Sequence, residues 1–153
     1  MAADPAAGGG QMLVTLLLHG QLCGIPVLAV RDVLAVQPIT RIPLAPPEVA
    51  GSLNLRGRIV TAIDLRRRLG LPPPDADTPR MSVVTEQGGE LYALLVDQVR
   101  EVLTLPETAF VPTPPTLPAE WAANSSGIYR LETGLLVLLD VARLLAIGDR
   151  AAA

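Results

Sequence analysis

One short phrase occurs twice in this chain. "VRDVLAV" runs from Val30 to Val36, and "VREVLTL" runs from Val99 to Leu105, 69 positions later. The surroundings of the phrase repeat as well. In the first half an apolar hairpin leads into it. A proline-containing turn region, a second hairpin, an apolar strand and a helix opened by Asp64 follow. The second half gives the same order and closes on a helix opened by Asp140, 76 positions after Asp64. The difference between the two offsets is absorbed by a longer second proline-rich crossing. Self-similarity of this kind marks a duplicated unit, here of roughly 60 to 70 residues. A domain of ~60 residues buries only about 60% of the surface its unfolded chain exposes. Two such units are therefore expected to share a hydrophobic interface, with a groove between them as a binding site.

The apolar segments within each half are short and bounded by Gly, Pro or polar residues. They include "MLVTLLL", "LCGIPVLAV", "RIVTAI", "LYALLV" and "LLVLL". Short apolar runs with frequent turn signals predict strands in a sandwich or barrel. Two-residue turns are expected at Gly20-Gln21, Arg56-Gly57, Gly88-Gly89 and Thr133-Gly134. Two short helices are expected. "IDLRRRLG" has Asp64 as N-cap and Gly70 as stop, and "LDVARLLAIG" has Asp140 as N-cap and Gly148 as stop. An Asp side chain at that position accepts from the orphan amides of the first turn. Residues 1–10 read as a disordered tail.

Composition excludes several function classes. Half of the residues are hydrophobic but only 3% are aromatic, so the core is built from Leu, Val, Ile and Ala. The net charge is -3. An acidic chain with so few aromatic residues has neither the basic footprint nor the stacking platform of a nucleic-acid binder. The apolar stretch after the tail is too short to span a bilayer, and no signal-peptide pattern precedes it. A cytoplasmic protein without membrane insertion is expected.

Catalytic and metal constellations are equally scarce. The one cysteine, Cys23, and the one histidine, His19, flank the first turn in a register that would not oppose them. No serine sits in a G-x-S-x-G elbow, no phosphate-binding glycine motif opens a helix, and no metal-ligand spacing occurs. Asp64, Asp97 and Asp140 each follow an apolar run. A pair among them could serve acid-base work, but helix capping accounts for Asp64 and Asp140, and a strand-to-strand turn for Asp97. The prolines between Pro106 and Pro118 read as a stiff crossing. Arg56 stands out, because turn tips before Gly ordinarily take Asn, Asp or Gly. An arginine there is either a solvated surface residue or a guanidinium presented to a partner's carboxylate.

These motifs together resemble a known family. "CGIPVLAVRDVL", "ITRIPLAPPEVAGSLNLRGRIVTAIDLRRRLG", "LLVDQVREVL" and "LLVLLDVARLL" are similar to the CheW-type coupling proteins of bacterial chemotaxis, over about residues 12 to 147. The resemblance implies a mainly β fold of two SH3-like five-stranded β-barrels with short helices. A single CheW-like domain is expected over residues 11–148, with subdomains of approximate bounds 12–72 and 80–148; whether strands are exchanged between them is left open. The resemblance implies no enzymatic activity and no cofactor. The implied role is an adaptor between the cytoplasmic tip of methyl-accepting chemoreceptors and the regulatory domain of a CheA-type histidine kinase. A coupling protein of a related system, such as twitching or gliding motility, and a free-standing SH3-like peptide binder are the alternatives. The family's receptor-docking arginine corresponds to Arg56. Its acidic position corresponds to Asp32, with Val30 beside it, and Asn54 and Gly57 complete the turn motif. Asp32 is shorter than the usual Glu of that position. The second copy of the phrase, with Glu101, faces a hairpin without an arginine at its tip. It is expected to be structural or to face the kinase.

Overall fold

A computed structural model of the chain describes residues 10–35, 37–75 and 78–147. Most of the expected tail and Gly148, the expected stop of the last helix, lie outside these. Eleven strands are present among the described residues. They are β1 (Gln11–Leu18), β2 (Gln21–Pro26), β3 (Val30–Leu34), β4 (Val49–Leu55), β5 (Arg58–Asp64), β6 (Met81–Gln87), β7 (Glu90–Val96), β8 (Gln98–Leu105), β9 (Phe110–Val111), β10 (Ser125–Leu131) and β11 (Gly134–Leu139). Three helices of about one turn accompany them: α1 (Leu65–Arg68), α2 (Ala119–Ala123) and α3 (Val141–Leu144).

The strands form two sheets, in the orders β8-β1-β2-β11-β10-β9 and β3-β6-β7-β5-β4. Neither sheet is made from one half of the chain. The hairpin β6–β7 from the second half lies between β3 and β5 of the first. The hairpin β1–β2 from the first half lies between β8 and β11 of the second. Five strands of each sheet are equivalent, including the parallel pairs β5–β7 and β2–β11; the sixth strand of the first sheet, the two-residue β9, is matched beside β4 only by the isolated bridge between Thr40 and Ser52. The repeated phrase supplies β3 and β8, an edge strand of each sheet. The exchange suits the hairpins, which are apolar on both faces and so belong in sheet centres.

Alternation along these central strands divides the core into three clusters. In β7, Leu94 and Val96 enter a central cluster, while Ala93 and Leu95 enter a cluster belonging to the second sheet with Leu53, Val60, Ala62 and Val84. In β11, Val137 and Leu139 enter the central cluster, while Leu136 and Leu138 join Leu13, Leu105 and Tyr129. The central cluster is the shared interface. Leu16, Leu18 and Ile25 meet Ile63 and Val83 there, and Leu65, Leu69, Leu144 and Ile147 from the helices join them.

Both N-caps form as expected. Asp64 Oδ1 accepts from Arg67 N at 3.3 Å, and Asp140 Oδ1 accepts from Arg143 N at 3.2 Å. The turns Arg56-Gly57 and Gly88-Gly89 are also as expected. The other two are displaced by one residue. Leu18 pairs with Gln21, so the first turn is His19-Gly20; Leu131 pairs with Gly134, so the last turn is Glu132-Thr133. The displacement keeps Leu16, Leu18, Cys23 and Ile25 on the buried face, and a one-residue slip would turn them outward. The proline-rich crossing holds an element the sequence pattern does not show. Helix α2 follows Pro118 and drives Trp121 into the central cluster, 7% exposed.

Candidate functional site

The hairpin β4–β5 ends in a two-residue turn with Arg56 at φ 50° and Gly57 at φ 87°. Two positive φ values give the turn whose twist matches the flanking strands. For a residue with a Cβ this backbone costs about 1–2 kcal/mol. Asn54 offsets part of that cost, because its Oδ1 accepts from Gly57 N at 2.9 Å and closes the turn. The pseudo-equivalent position in the second half is Arg130, which cannot accept such a bond.

Arg56 is thus held on a rigid tip, and its direction is set from a different strand. Arg56 Nη1 lies 3.1 Å from Asp32 Oδ2, and the second oxygen of Asp32 accepts from Val33 N at 2.8 Å. The exchange of hairpins positions Asp32, since β3 is tied to β6, β6 to β7, and β7 to β5. The Arg56 side chain remains 76% exposed. Its guanidinium is oriented without being consumed, because Nη1 alone engages Asp32 and the side chain stays largely in solvent.

Beside this pair lies a cleft of about 230 Å³. Leu55, Val84 and Leu91 supply its apolar part, and Arg31, Asp32, Arg56, Arg58 and Glu86 supply its charges. Arg31 Nε lies 3.3 Å from Glu86 Oε1. All of these residues belong to the second sheet or, for Arg56, to its β4–β5 turn. The cleft beside Arg56 therefore opens in one barrel, not in a groove between the two, because the lining strands are consecutive neighbours in that sheet.

Of the expected site residues, Asp32, Asn54, Arg56 and Gly57 meet at this hairpin end. Val30 does something else: it is half-buried and packs against the central cluster. Arg31, Arg58 and Glu86 were not read from the sequence as site residues. Register could have pointed to Arg58, which pairs with Leu55 across the turn. The pair Arg31–Glu86 depends on the exchanged hairpin, and no local pattern shows it.

The second copy of the phrase has different surroundings. Glu101 is exposed and has no ion-pair partner among the described residues. Its backbone oxygen accepts from Thr15 Oγ1 at 2.5 Å across the bulge in the β1–β8 pairing.

The aspartates read as potential acid-base groups have structural partners. Asp64 accepts two hydrogen bonds from Arg80, at 2.6 and 3.2 Å, beyond its capping bond. Asp97 accepts from Arg66 Nη2 at 2.6 Å, Arg66 Nε at 2.8 Å and His19 N at 2.8 Å. Burial opposes the charge on Asp97, but these bonds outweigh it and hold the carboxyl below the usual carboxylate value. The same contact raises the pKa of Arg66. Cys23 is fully buried opposite Leu16, and burial pushes its thiol pKa far up. A protonated, inaccessible thiol is not a nucleophile. Among the described residues no cluster of three His, Cys, Asp or Glu side chains could hold a metal ion.

Comparison with known proteins places this arrangement. The family model of the CheW-like domain matches residues 12–148. The chain belongs to the CheW-like domain family. It is 27% identical to the chemotaxis protein CheW of Rhizobium meliloti, over 99% of this chain and 98% of that protein. It is 30% identical to the chemotaxis protein CheW of Klebsiella aerogenes, over 93% of this chain and 86% of that one. Among solved structures, the scaffolding protein TtCheW from Thermoanaerobacter tengcongensis superimposes with a TM-score of 0.76 at 29% identity. That match covers 85% of this chain and 88% of TtCheW. The two sheets are the paired SH3-like barrels of the CheW fold. This CheW-family chain is an adaptor of chemotaxis signalling.

Proposed function

We propose that this CheW-family chain is a non-enzymatic coupler. It joins the cytoplasmic tip of methyl-accepting chemoreceptors to the regulatory domain of a CheA-type histidine kinase, in the cytoplasm at receptor arrays. The receptor contact is assigned to Arg56, oriented by Asp32, with Asn54 and Gly57 building the turn. One observation carries this reading: a strained arginine at a hairpin tip, aimed by a carboxylate from another strand at 3.1 Å. A merely solvated arginine would need no such partner. Val30, the first residue of β3, contributes by anchoring that strand on the central cluster. In this reading the membrane link runs through the receptor; no helix among the described residues is long and apolar enough to cross a membrane.

A small interface whose contacts must exchange is typically micromolar in affinity, about -8 kcal/mol. The test is co-sedimentation with a receptor tip fragment, followed by kinase activation in the ternary mixture. Arg56→Glu abolishes receptor co-sedimentation while the far-ultraviolet circular dichroism of the protein stays unchanged. Full retention of binding by that variant removes Arg56 from the receptor contact.

A further inference from the structure

The charges of the cleft beside Arg56 do not balance. Its rim carries three cations, Arg31, Arg56 and Arg58, and two carboxylates, Asp32 and Glu86. Each carboxylate is committed: Glu86 to Arg31 at 3.3 Å and Asp32 to Arg56 at 3.1 Å. Arg58 is left over. It is exposed, and its side chain makes no ion pair or hydrogen bond among the described residues. Its placement is as well determined as that of Arg56. Leu55 and Arg58 close the turn as cross-strand partners, so both side chains leave the same face of the hairpin. Leu55 lines the cleft, and Arg58 stands over it.

We infer that Arg58 is a specificity-determining residue of the docking cleft, and that the receptor tip recognised by this chain presents a carboxylate to it next to an apolar side chain. The inference rests on the receptor reading of the preceding section. An apolar side chain of the partner covers Leu55, Val84 and Leu91. The uncommitted guanidinium then meets an acidic group with its planar fork. Asp32 does not pair with Arg58; its two oxygens hold Arg56 and Val33 N. The cleft thereby discriminates against receptor tips that carry a neutral or basic residue at the facing position.

Binding of a soluble receptor tip fragment, measured by calorimetry at low and high salt, tests this. Arg58→Gln weakens binding about two- to fivefold, as for loss of one exposed ion pair. Arg58→Glu weakens it about tenfold and flattens the salt dependence. A Glu→Lys or Asp→Lys replacement in the tip fragment restores binding to the Arg58→Glu variant. Arg56→Glu serves as the reference. If Arg56→Glu abolishes binding while Arg58→Glu keeps the affinity and salt slope of the parent, Arg58 is no part of recognition and the inference is overturned. If neither variant changes binding, the receptor reading of the cleft has failed, and this inference with it.

Discussion

Asp97 ties the two halves of the chain together, and its removal gives a stringent test of how they are joined. Arg66 lies on α1 in the first half, and Asp97 lies between β7 and β8 in the second. Two hydrogen bonds, at 2.6 and 2.8 Å, link them in a bidentate fork. The side chains are only 11% and 19% exposed. Asp97 also accepts from His19 N in the β1–β2 turn, and Arg66 also donates to Pro72 O at 2.8 Å. Asp97→Ala removes three hydrogen bonds and leaves the guanidinium largely buried without its counter-charge. Breaking one side of a buried pair costs about 3–5 kcal/mol. Residual exposure and the surviving bond to Pro72 O reduce that to about 2–4 kcal/mol, a fall in Tm of about 4–16 °C for a chain of this size. Urea unfolding of the parent, Asp97→Ala, Arg66→Ala and the double variant measures the coupling directly. A coupling below about 0.5 kcal/mol would refute the reasoning, since it would make the pair an ordinary surface contact.

The same pair has a pH signature. The carboxyl of Asp97 is lowered in the folded state, so its stabilisation is fully present above the unfolded value of about 3.9. It is lost as pH falls through the lower folded value. The stability of the parent therefore falls more steeply below about pH 4 than that of Asp97→Asn.

Two further predictions concern the packing. Gly51 has φ 150°, and a Cβ there would overlap the Thr40 carbonyl oxygen and come within 2.8 Å of Ile39 Cγ2. Gly51→Ala should destabilise by more than about 2 kcal/mol in chemical unfolding. Gly88→Ala, with positive φ but open space around it, should cost only about 1 kcal/mol; equal losses would count against the steric argument. Cys23 is fully buried with a strongly raised thiol pKa, so an aromatic disulfide reagent at pH 8 should react with it only at the rate of unfolding. Rapid reaction in native buffer would show that the β1–β2 hairpin opens locally.

Much of the candidate site was legible because its strongest feature is local. Asn54, Arg56 and Gly57 lie within one turn, and positive φ at an arginine is a cost that sequence alone makes visible. Arg58 is also local, but an arginine opening a strand after a turn glycine carries no local cost that marks it out. The contacts from Asp32 to Arg56 and from Arg31 to Glu86 lie between strands distant in sequence. The two displaced turns show the same boundary from the other side. Gly20-Gln21 and His19-Gly20 are both acceptable as local chemistry, and the burial of Leu16, Leu18, Cys23 and Ile25 selects between them. Helix α2 was hidden because "AEWAA" is too short to show helical periodicity, and Trp121 is held by tertiary packing.

The sequence by itself determined the duplication, the strand-and-turn grammar of each half, the two aspartate caps and the arginine at the hairpin tip. Each of these depends on neighbours within a few residues, or on similarity between the halves. Tertiary structure alone decided which hairpin enters which sheet. The apolar faces of β1–β2 and β6–β7 are alike, and alternation with a period of two does not name a partner strand. Only the joint burial of Leu16, Leu18, Ile63, Val83, Leu94 and Leu144 in one cluster selects the exchanged pairing. That exchange also makes the two copies of the repeated phrase differ. It sets Asp32 against Arg56 in one barrel and leaves Glu101 without an ion-pair partner among the described residues in the other.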